Sequence, residues 1–357
     1  MNGEVSRLLS VENAKELLDS VDAFLFDCDG VIWKGEKLID GVPETLDLLR
    51  SHGKKLVFVT NNSTKSRKQY AKKFHSLGIP VNEDEIFSSS FSAAMYLKVN
   101  DFPREKKVYV IGEEGILEEL EQAGFTALGG PADGKKNIEL KSNCLFEHDK
   151  SVGAVIVGLD QYINFYKLQY ATLCIRENPG CLFIATNRDA VGHLTDLQEW
   201  PGAGCMVAAV CGTTQKEPIT VGKPLTFLMD FLLQKYKITT SRMCMVGDRL
   251  DTDILFGQNA GCRTLLVFSG LRMSSISLFI LLKVLAHVQF CHPLHFWSIH
   301  TLAISKSSRI CPLTKFQHEV SELRQGPGLL PTGKGNIRPE VKTEGKAEQF
   351  QLVHAKS

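Results

Sequence analysis

Residues 23–33 read AFLFDCDGVIW, an apolar run that ends in two carboxylates, Asp27 and Asp29, one residue apart. A short, uninterrupted apolar run is typical of a strand buried in a parallel sheet, and the polar residues mark where the chain leaves that sheet. In open α/β sheets, ligands bind outside the carboxyl ends of the strands. Two anions held this close repel each other, so we expect a nearby cation such as Mg²⁺ and residues that complete a phosphate site.

Short strands and helices alternate through the first 270 residues. Apolar runs at 55–59, 107–111 and 243–246 are each followed by a helical segment, at the spacing of βαβ units. This alternation predicts an α/β fold with a doubly wound parallel sheet. Residues 271–357 break the pattern with a different composition, and we expect them to form an atypical, largely disordered tail.

The composition gives no reason to expect a nucleic-acid or membrane partner. The formal net charge is only +1 over 357 residues, and the most apolar segment, residues 277–285, is too short for a membrane span and contains Lys283. Ten cysteines occur without a Cys-x-x-Cys pair, which favours reduced thiols. Residues 1–20 contain four acidic residues and no long apolar core, unlike a signal or transit peptide. We therefore predict a cytoplasmic protein.

Polar residues of complementary types follow three further predicted strands. They are Thr60 with Asn61 and Asn62, Lys223 after residues 219–221, and Asp248 with Asp253. Because the carboxyl ends of parallel strands meet at one edge of a sheet, we expect all of them to lie near Asp27 and Asp29. One carboxylate can attack phosphorus and a second can transfer protons. Hydroxyl and N–H donors can hold phosphoryl oxygens, while a lysine offsets their charge.

Each of these positions has a structural alternative when it is taken alone. An Asp-x-Asp at a strand end is often a turn or a helix cap. Thr60 could cap the helix predicted from Ser66, and Lys223 could be an ordinary surface lysine. Asp248 and Asp253 could belong to the start of a helix, where negative charge is favourable. Four such coincidences in one order are much rarer than any one of them.

Taken together, these residues resemble the four motifs of the haloacid dehalogenase superfamily. The motifs are DCDGV at 27–31, TNN at 60–62, GKP at 222–224 and GDRLDTD at 247–253. Within the superfamily, the chain is most similar to the phosphoglycolate and 4-nitrophenyl phosphate phosphatases, and among them to plant members of the non-plastid type. The resemblance covers about residues 15–270. It implies a Rossmann-like parallel-sheet core at 15–105 and 216–270, and an inserted α/β cap domain at 106–215 that sets substrate specificity.

The resemblance also implies a role for each acidic motif residue. Asp27 would be the nucleophile, and Asp29 would be the general acid and base. Mg²⁺ would be held by Asp27, the backbone carbonyl of Asp29 and Asp248, with Asp253 supporting these ligands.

Phosphate binding and substrate choice are implied in the same way. Thr60, Asn61 and Asn62 would hold the phosphoryl group, and Lys223 would neutralise it. In the cap, the resemblance implies that Asn187, Arg188 and Asp189 face the substrate. Arg188 and His193 are candidate partners for a substrate carboxylate, although an ordinary surface position is an open alternative for each.

We therefore predict a Mg²⁺-dependent phosphomonoester hydrolase that acts through an aspartyl-phosphate, with 2-phosphoglycolate as the favoured substrate and a photorespiratory or metabolite-repair role. Its partner would be a small phosphorylated metabolite, and a homodimer is an open alternative. One rival is a phosphatase of pyridoxal phosphate or of aryl phosphates. A second is a catalytically impaired isoform, because of the atypical tail. A P-loop enzyme is disfavoured since the chain lacks Gly-x-x-x-x-Gly-Lys-Ser/Thr, and a phosphoacceptor signalling domain would have no use for a cap.

Overall fold

The computed structural model describes residues 9–192, 194–195 and 198–267. The predicted tail at 271–357 and the candidate His193 lie outside the described residues. The described residues belong to one compact unit. They form two five-stranded parallel sheets with flanking helices, and two short antiparallel hairpins.

The secondary structure elements follow one another in the predicted α/β alternation. The strands are β1 (Ala23–Phe26), β2 (Trp33–Lys34), β3 (Lys37–Leu38), β4 (Lys55–Thr60), β5 (Ile86–Ser88), β6 (Lys107–Ile111), β7 (Thr126–Gly129), β8 (Val152–Val157), β9 (Leu182–Ala185), β10 (Val191–Gly192), β11 (Trp200–Pro201), β12 (Ile219–Thr220), β13 (Met243–Gly247) and β14 (Arg263–Leu266). The α-helices are α1 (Val11–Ser20), α2 (Val42–Ser51), α3 (Arg67–Ser76), α4 (Ser89–Val99), α5 (Glu114–Gln122), α6 (Phe165–Glu177), α7 (Ala203–Thr214), α8 (Phe227–Tyr236) and α9 (Leu255–Ala260). Among them, no helix is long and apolar enough to cross a bilayer.

The first sheet has the order β14-β13-β1-β4-β5, and every pairing in it is parallel. Alternate side chains of each strand point to opposite faces of this sheet, and an apolar cluster covers each face. Phe24 and Phe26 of β1 pack with Phe58 in one apolar cluster. Leu25, between them, packs with Val57 in a second cluster. This explains why β1 reads as a continuous apolar run rather than an alternating one.

The second sheet has the order β12-β9-β8-β6-β7 and is also entirely parallel. Tyr109 and Ile111 of β6 pack in one cluster, and Val108 and Val110 pack on the opposite face. The predicted α/β class with doubly wound parallel sheets is therefore confirmed. The domain boundaries at residues 106 and 215 remain a prediction.

The strand before Lys223 lies in the second sheet, so the expectation that its end belongs to the same sheet edge as β1, β4 and β13 is wrong. Ile219 and Thr220 of β12 pair with Ile184 and Ala185 of β9, and the Val221 N–H then donates to the Ala185 carbonyl. A short apolar run predicts a strand but does not specify its partner, since that partner is distant in sequence. Lys223 therefore enters the site from the second sheet.

Helix α3 is capped by the serine that precedes it, Ser66, so Thr60 is not needed as its cap. The Ser66 hydroxyl accepts a hydrogen bond from the Gln69 N–H, and the Gln69 side chain accepts one from the Ser66 N–H. This reciprocal pair is a capping box. Thr60 is consequently not the cap of this helix and remains at the end of β4.

Candidate active site

A buried lysine lies between two carboxylates at the carboxyl end of the first sheet. The Lys223 Nζ atom is 2.6 Å from Asp27 Oδ1 and 2.7 Å from Asp253 Oδ1, and it donates to the Val59 carbonyl at 2.9 Å. These contacts use all three ammonium protons. Burial alone would lower the pKa of Lys223, but Asp253 and Asp27 overcome that effect and raise it above its usual value. The lysine is therefore a permanent positive charge in the site.

Three carboxylates form an acidic cluster beside this lysine. One oxygen from each of Asp27, Asp248 and Asp253 lies within 4.8 Å of the other two. Burial raises the pKa of Asp27 well above its usual value; Lys223 opposes this, whereas Asp253 and Asp248 add to it. Burial and the charge of Asp253 also raise the pKa of Asp248 to about 7. Three carboxylates therefore share one lysine, and burial disfavours their charged forms.

One oxygen of Asp248 lacks, among the described residues, a partner of the kind that a cation would supply. Within the described part of the chain, Asp248 Oδ1 is buried and has no hydrogen-bond partner. Buried polar atoms without partners are rare in native proteins. A hard divalent cation prefers carboxylate and carbonyl oxygens, so the donor set present here suits such an ion.

Two glycines allow the acidic residues to approach one another. Gly30 has φ +90°, and a Cβ at this position would lie 2.2 Å from Asp248 Oδ2. A Cβ on Gly247 would lie 2.1 Å from the Asp253 Cβ. Asp253 Oδ2 in turn accepts the backbone N–H groups of Asp248 and Arg249 at 3.2 and 3.1 Å. The cluster therefore depends on close backbone packing that a larger residue would prevent.

Asp29 lies on the wall of the cavity, only partly buried, and is held by two donors. Trp33 Nε1 donates to Asp29 Oδ1 at 2.9 Å, and Asn62 Nδ2 lies 3.4 Å from Asp29 Oδ2. Unlike Asp27, Asp29 makes no ion pair with a lysine or arginine of the described residues. A carboxyl group that is fixed in position but open to the cavity is suited to proton transfer.

The Asn61 side chain fastens the end of β4 to the segment that carries Lys223. Its Oδ1 atom accepts the Lys223 N–H at 2.8 Å, and its Nδ2 atom donates to the Lys223 carbonyl at 3.0 Å. Thr60, buried next to it, accepts the Asn62 N–H through Oγ1 at 3.1 Å. Sequence reasoning assigned Asn61 only to phosphate binding, because nothing local predicts a contact with a residue 162 positions away.

Two of the three predicted cap residues reach the same site. Asn187 Nδ2 donates to the Asn61 carbonyl at 2.7 Å, and Asp189 accepts from Asn61 Nδ2 at 3.2 Å. Burial raises the pKa of Asp189, and Arg249 opposes that shift. Arg188 lies elsewhere: its side chain is 49% exposed and pairs with Glu217.

These residues enclose a cavity of about 90 Å³ between the two sheets. Its lining includes Asp27, Asp29, Thr60, Asn61, Asn62, Asn187, Asp189, Lys223 and Asp253, together with Arg249. Arg188 does not line it. Arg249 has no role in the sequence-based predictions, although its position between Asp248 and Asp253 was a signal that could have identified it.

Comparisons with known proteins show which family the chain resembles. Residues 24–126 match the family described as haloacid dehalogenase-like hydrolase, and residues 220–276 match a second HAD-hydrolase-like family. Phosphoglycolate phosphatase 2 of Arabidopsis thaliana is 76% identical over 270 residues, which are 75% of this chain and 90% of that protein.

Two solved structures resemble the fold. A p-nitrophenyl phosphatase from Archaeoglobus fulgidus has a TM-score of 0.60 and 29% identity, and the match covers 74% of this chain and 92% of that one. A glycerol phosphate phosphatase from Mycobacterium tuberculosis, in complex with calcium, has a TM-score of 0.59 and 28% identity, covering 74% of this chain and 69% of that one.

The chain therefore belongs to the haloacid dehalogenase-like hydrolases, as its four motifs predicted. Its enzyme class, a phosphoric monoester hydrolase, is confirmed by the same similarity. The roles assigned above to individual side chains remain predictions.

Proposed function

We propose that this chain is a Mg²⁺-dependent phosphomonoester hydrolase that forms an aspartyl-phosphate on Asp27 and favours 2-phosphoglycolate. The observation that carries the proposal is the buried Asp27, held 2.6 Å from Lys223 beside an acidic cluster and at the wall of a small cavity. The substrate is supported by the 76% identity to a protein named phosphoglycolate phosphatase. A cavity of about 90 Å³ also suits a small substrate.

In the first step, a carboxylate oxygen of Asp27 attacks phosphorus, and the bond between phosphorus and the glycolate oxygen breaks. Asp29 donates a proton to that leaving oxygen, which would otherwise depart as a strongly basic alkoxide. Asp29 then takes a proton from water, whose oxygen attacks the phosphorus of the aspartyl-phosphate while the bond between phosphorus and the Asp27 oxygen breaks. Inorganic phosphate leaves, and both carboxyl groups return to their starting states.

Other residues hold the phosphoryl group and balance its charge. Lys223 contributes positive charge next to Asp27, and Asn61 keeps the Lys223 backbone in place through two hydrogen bonds. Mg²⁺ would be held by Asp27, Asp248 and the Asp29 carbonyl, and would supply further positive charge toward the phosphoryl oxygens. The calcium complex of the mycobacterial relative supports a divalent cation in this family.

The setting of the reaction follows from the same proposal. The partner is a small phosphorylated metabolite, and a photorespiratory or metabolite-repair role follows from 2-phosphoglycolate as substrate. The cytoplasm remains our proposed location, since the cysteines of the described residues are free thiols that suit a reducing compartment. A homodimer is retained as a proposal.

A second candidate is a phosphatase of aryl phosphates or pyridoxal phosphate, which the resemblance to a p-nitrophenyl phosphatase favours. The test is to compare kcat/KM for 2-phosphoglycolate, 4-nitrophenyl phosphate and pyridoxal phosphate, with the full chain and Mg²⁺. We expect 2-phosphoglycolate to be preferred, and Asp27→Asn to lower kcat by about 10⁴-fold or more because an amide cannot attack phosphorus. Preference for either aromatic substrate would contradict the substrate proposal.

The same measurement separates the enzyme from a catalytically impaired isoform. A full chain that unfolds cooperatively but turns over none of the three substrates would favour the impaired isoform. If Asp27→Asn remained active, Asp27 could not be the nucleophile.

A further inference from the structure

The charged side chains of the cavity leave one cation available for a second anionic group. The charged residues in its lining are Asp27, Asp29, Asp189 and Asp253 on the negative side, and Lys223 and Arg249 on the positive side. Asp248, next to the cavity, adds a fifth negative charge, so the two positive charges of Mg²⁺ would leave one negative charge unbalanced. A substrate with both a phosphate and a carboxylate adds about three negative charges. The carboxylate end therefore needs a positive partner of its own.

Lys223 cannot serve as that partner. Its three ammonium protons are already donated to Asp27, Asp253 and the Val59 carbonyl, all at 2.9 Å or less. The side chain is only 2% exposed. Moving it toward a carboxylate would leave two buried acids without a counter-charge, which is strongly unfavourable.

Arg249 is placed differently, at the part of the cavity wall formed by the β10–β11 hairpin. Its Nη1 atom lies 3.4 Å from the carbonyl of Val191, which also lines the cavity. Its Nε and Nη2 atoms donate to Asp251, at 3.2 and 2.9 Å. Within the described structure, these contacts use three of the five guanidinium N–H groups. Two donors therefore remain for a ligand.

The acids around Arg249 do not exclude a further carboxylate. Asp251 is 63% exposed, so solvent weakens its pairing with Arg249. Asp189 accepts hydrogen bonds from Asn61. A guanidinium can hold carboxylates along more than one edge of its planar fork. Arg188, which the sequence offered as one candidate for this task with a surface position as the open alternative, is outside the cavity and paired with Glu217.

We propose that Arg249 binds the carboxylate of the substrate and so selects phosphate esters that carry an acid group next to the ester carbon. This inference rests on the proposed function. Arg249 acts on binding and specificity, while Asp27 and Asp29 carry out the chemistry. The proposed role also accounts for the presence of an arginine between Asp248 and Asp253 in the sequence. A neutral residue at this position would leave the cavity more negative.

The experiment compares two substrates that differ only at this group, 2-phosphoglycolate and 2-hydroxyethyl phosphate. In the second, a CH₂OH group replaces the carboxylate. We expect Arg249→Gln in the full chain to lower kcat/KM for 2-phosphoglycolate about 10- to 100-fold, mainly through KM, as for the loss of one charge-assisted contact. The value for 2-hydroxyethyl phosphate should change by less than about threefold. Arg249→Lys should recover part of the preference, since it keeps the charge but not the fork.

Two further variants complete the test. Arg176→Gln, on the exposed surface of α6, is the control and should behave as wild type. Arg188→Gln tests the rival arginine: if it, and not Arg249→Gln, removed the preference for the carboxylate, the proposal would be overturned. Equal losses on both substrates in Arg249→Gln would also overturn it, because they would indicate a general structural role. A wild-type enzyme that prefers 2-hydroxyethyl phosphate would instead refute the proposed function, and the assignment of Arg249 with it.

Discussion

At the scale of single residues, Lys223 determines whether the buried acids of the site can remain ionised together. Its ammonium contacts both Asp27 and Asp253, and all three side chains are almost completely buried. Removing one member of a buried ion pair is far more costly than removing both, because the remaining charge has no partner. We therefore expect the loss of Lys223 alone to lower the stability of the fold.

We predict that Lys223→Met lowers the free energy of unfolding by about 3–5 kcal/mol, as for a buried charge that loses its partner. The measurement is chemical denaturation at neutral pH, with Lys150→Met as the control. Lys150 pairs with Glu177 at a surface where both side chains are about half exposed or more, so its loss should change stability little. A Lys223→Met protein as stable as wild type would show that the two acids take up protons instead of remaining ionised.

At the scale of elements, the turn after β1 and the turn after β13 must fit closely together. Gly30 combines a left-handed backbone with near contact to Asp248, so two separate constraints act on one residue. Gly53 has a similar backbone, φ +71°, but nothing lies within 4 Å of where its Cβ would be. The two glycines therefore separate the effect of backbone strain from the effect of crowding.

We predict that Gly30→Ala loses most of its activity and that Gly53→Ala retains it. Both variants pay about 1–2 kcal/mol for an L-residue in the left-handed region, but only Gly30→Ala also displaces Asp248. The measurements are thermal stability and kcat across a series of Mg²⁺ concentrations. Equal activity in the two variants would mean that the contact between Gly30 and Asp248 does not matter for the site.

Local signals in the sequence predict many of the helices and strands. The elements that these signals miss depend on long-range pairing. Ser66 and Asn164 accept the capping hydrogen bonds of α3 and α6, so these helices could be predicted from sequence alone. Strand β5 and helix α4 could not be predicted in this way. Residues 86–92 read IFSSSFS, and such a run of serines usually indicates a turn. In the structure, Ser88 caps α4 and several of these hydroxyl groups are buried in hydrogen bonds.

The candidate site also contains some residues that local sequence signals predict and others that only long-range contacts bring into place. Asp27, Asp29, Asp248 and Asp253 belong to compact motifs and could be predicted, because each motif is formed by a single turn. The two hydrogen bonds from the Asn61 side chain to the Lys223 backbone, and the position of Arg249 in the cavity wall, depend on segments that meet only after folding. Their side chains carry no local pattern that reveals the partner.

At the scale of the whole molecule, the acidic cluster should make stability depend on a divalent cation. A ligand that binds only the folded state at 100 times its Kd adds about 2.7 kcal/mol. For a chain of 357 residues, the unfolding entropy is large enough that each kcal/mol raises Tm by only about 1–2 °C. We therefore predict that saturating Mg²⁺ raises Tm by about 3–5 °C over the metal-free protein. Differential scanning calorimetry of the full chain measures this.

Asp248→Asn should abolish most of that increase, since it removes a carboxylate whose Oδ1 lacks a hydrogen-bond partner among the described residues. Asp40→Asn, at an exposed position, should keep it. If Asp248→Asn and wild type responded equally to Mg²⁺, the cation would have to bind at a different place.

The path of residues 219–223 limits how this enzyme could be recombined with its relatives. The segment leaves β12 in the second sheet and delivers Lys223 to Asp27 only three residues later. Three residues span at most about 10 Å, so the lysine cannot be repositioned independently of that strand. A chimera that exchanges the second sheet for one from another enzyme must therefore keep β12 in register with β9. A junction placed at residue 215 without that register would separate Lys223 from Asp27 and Asp253.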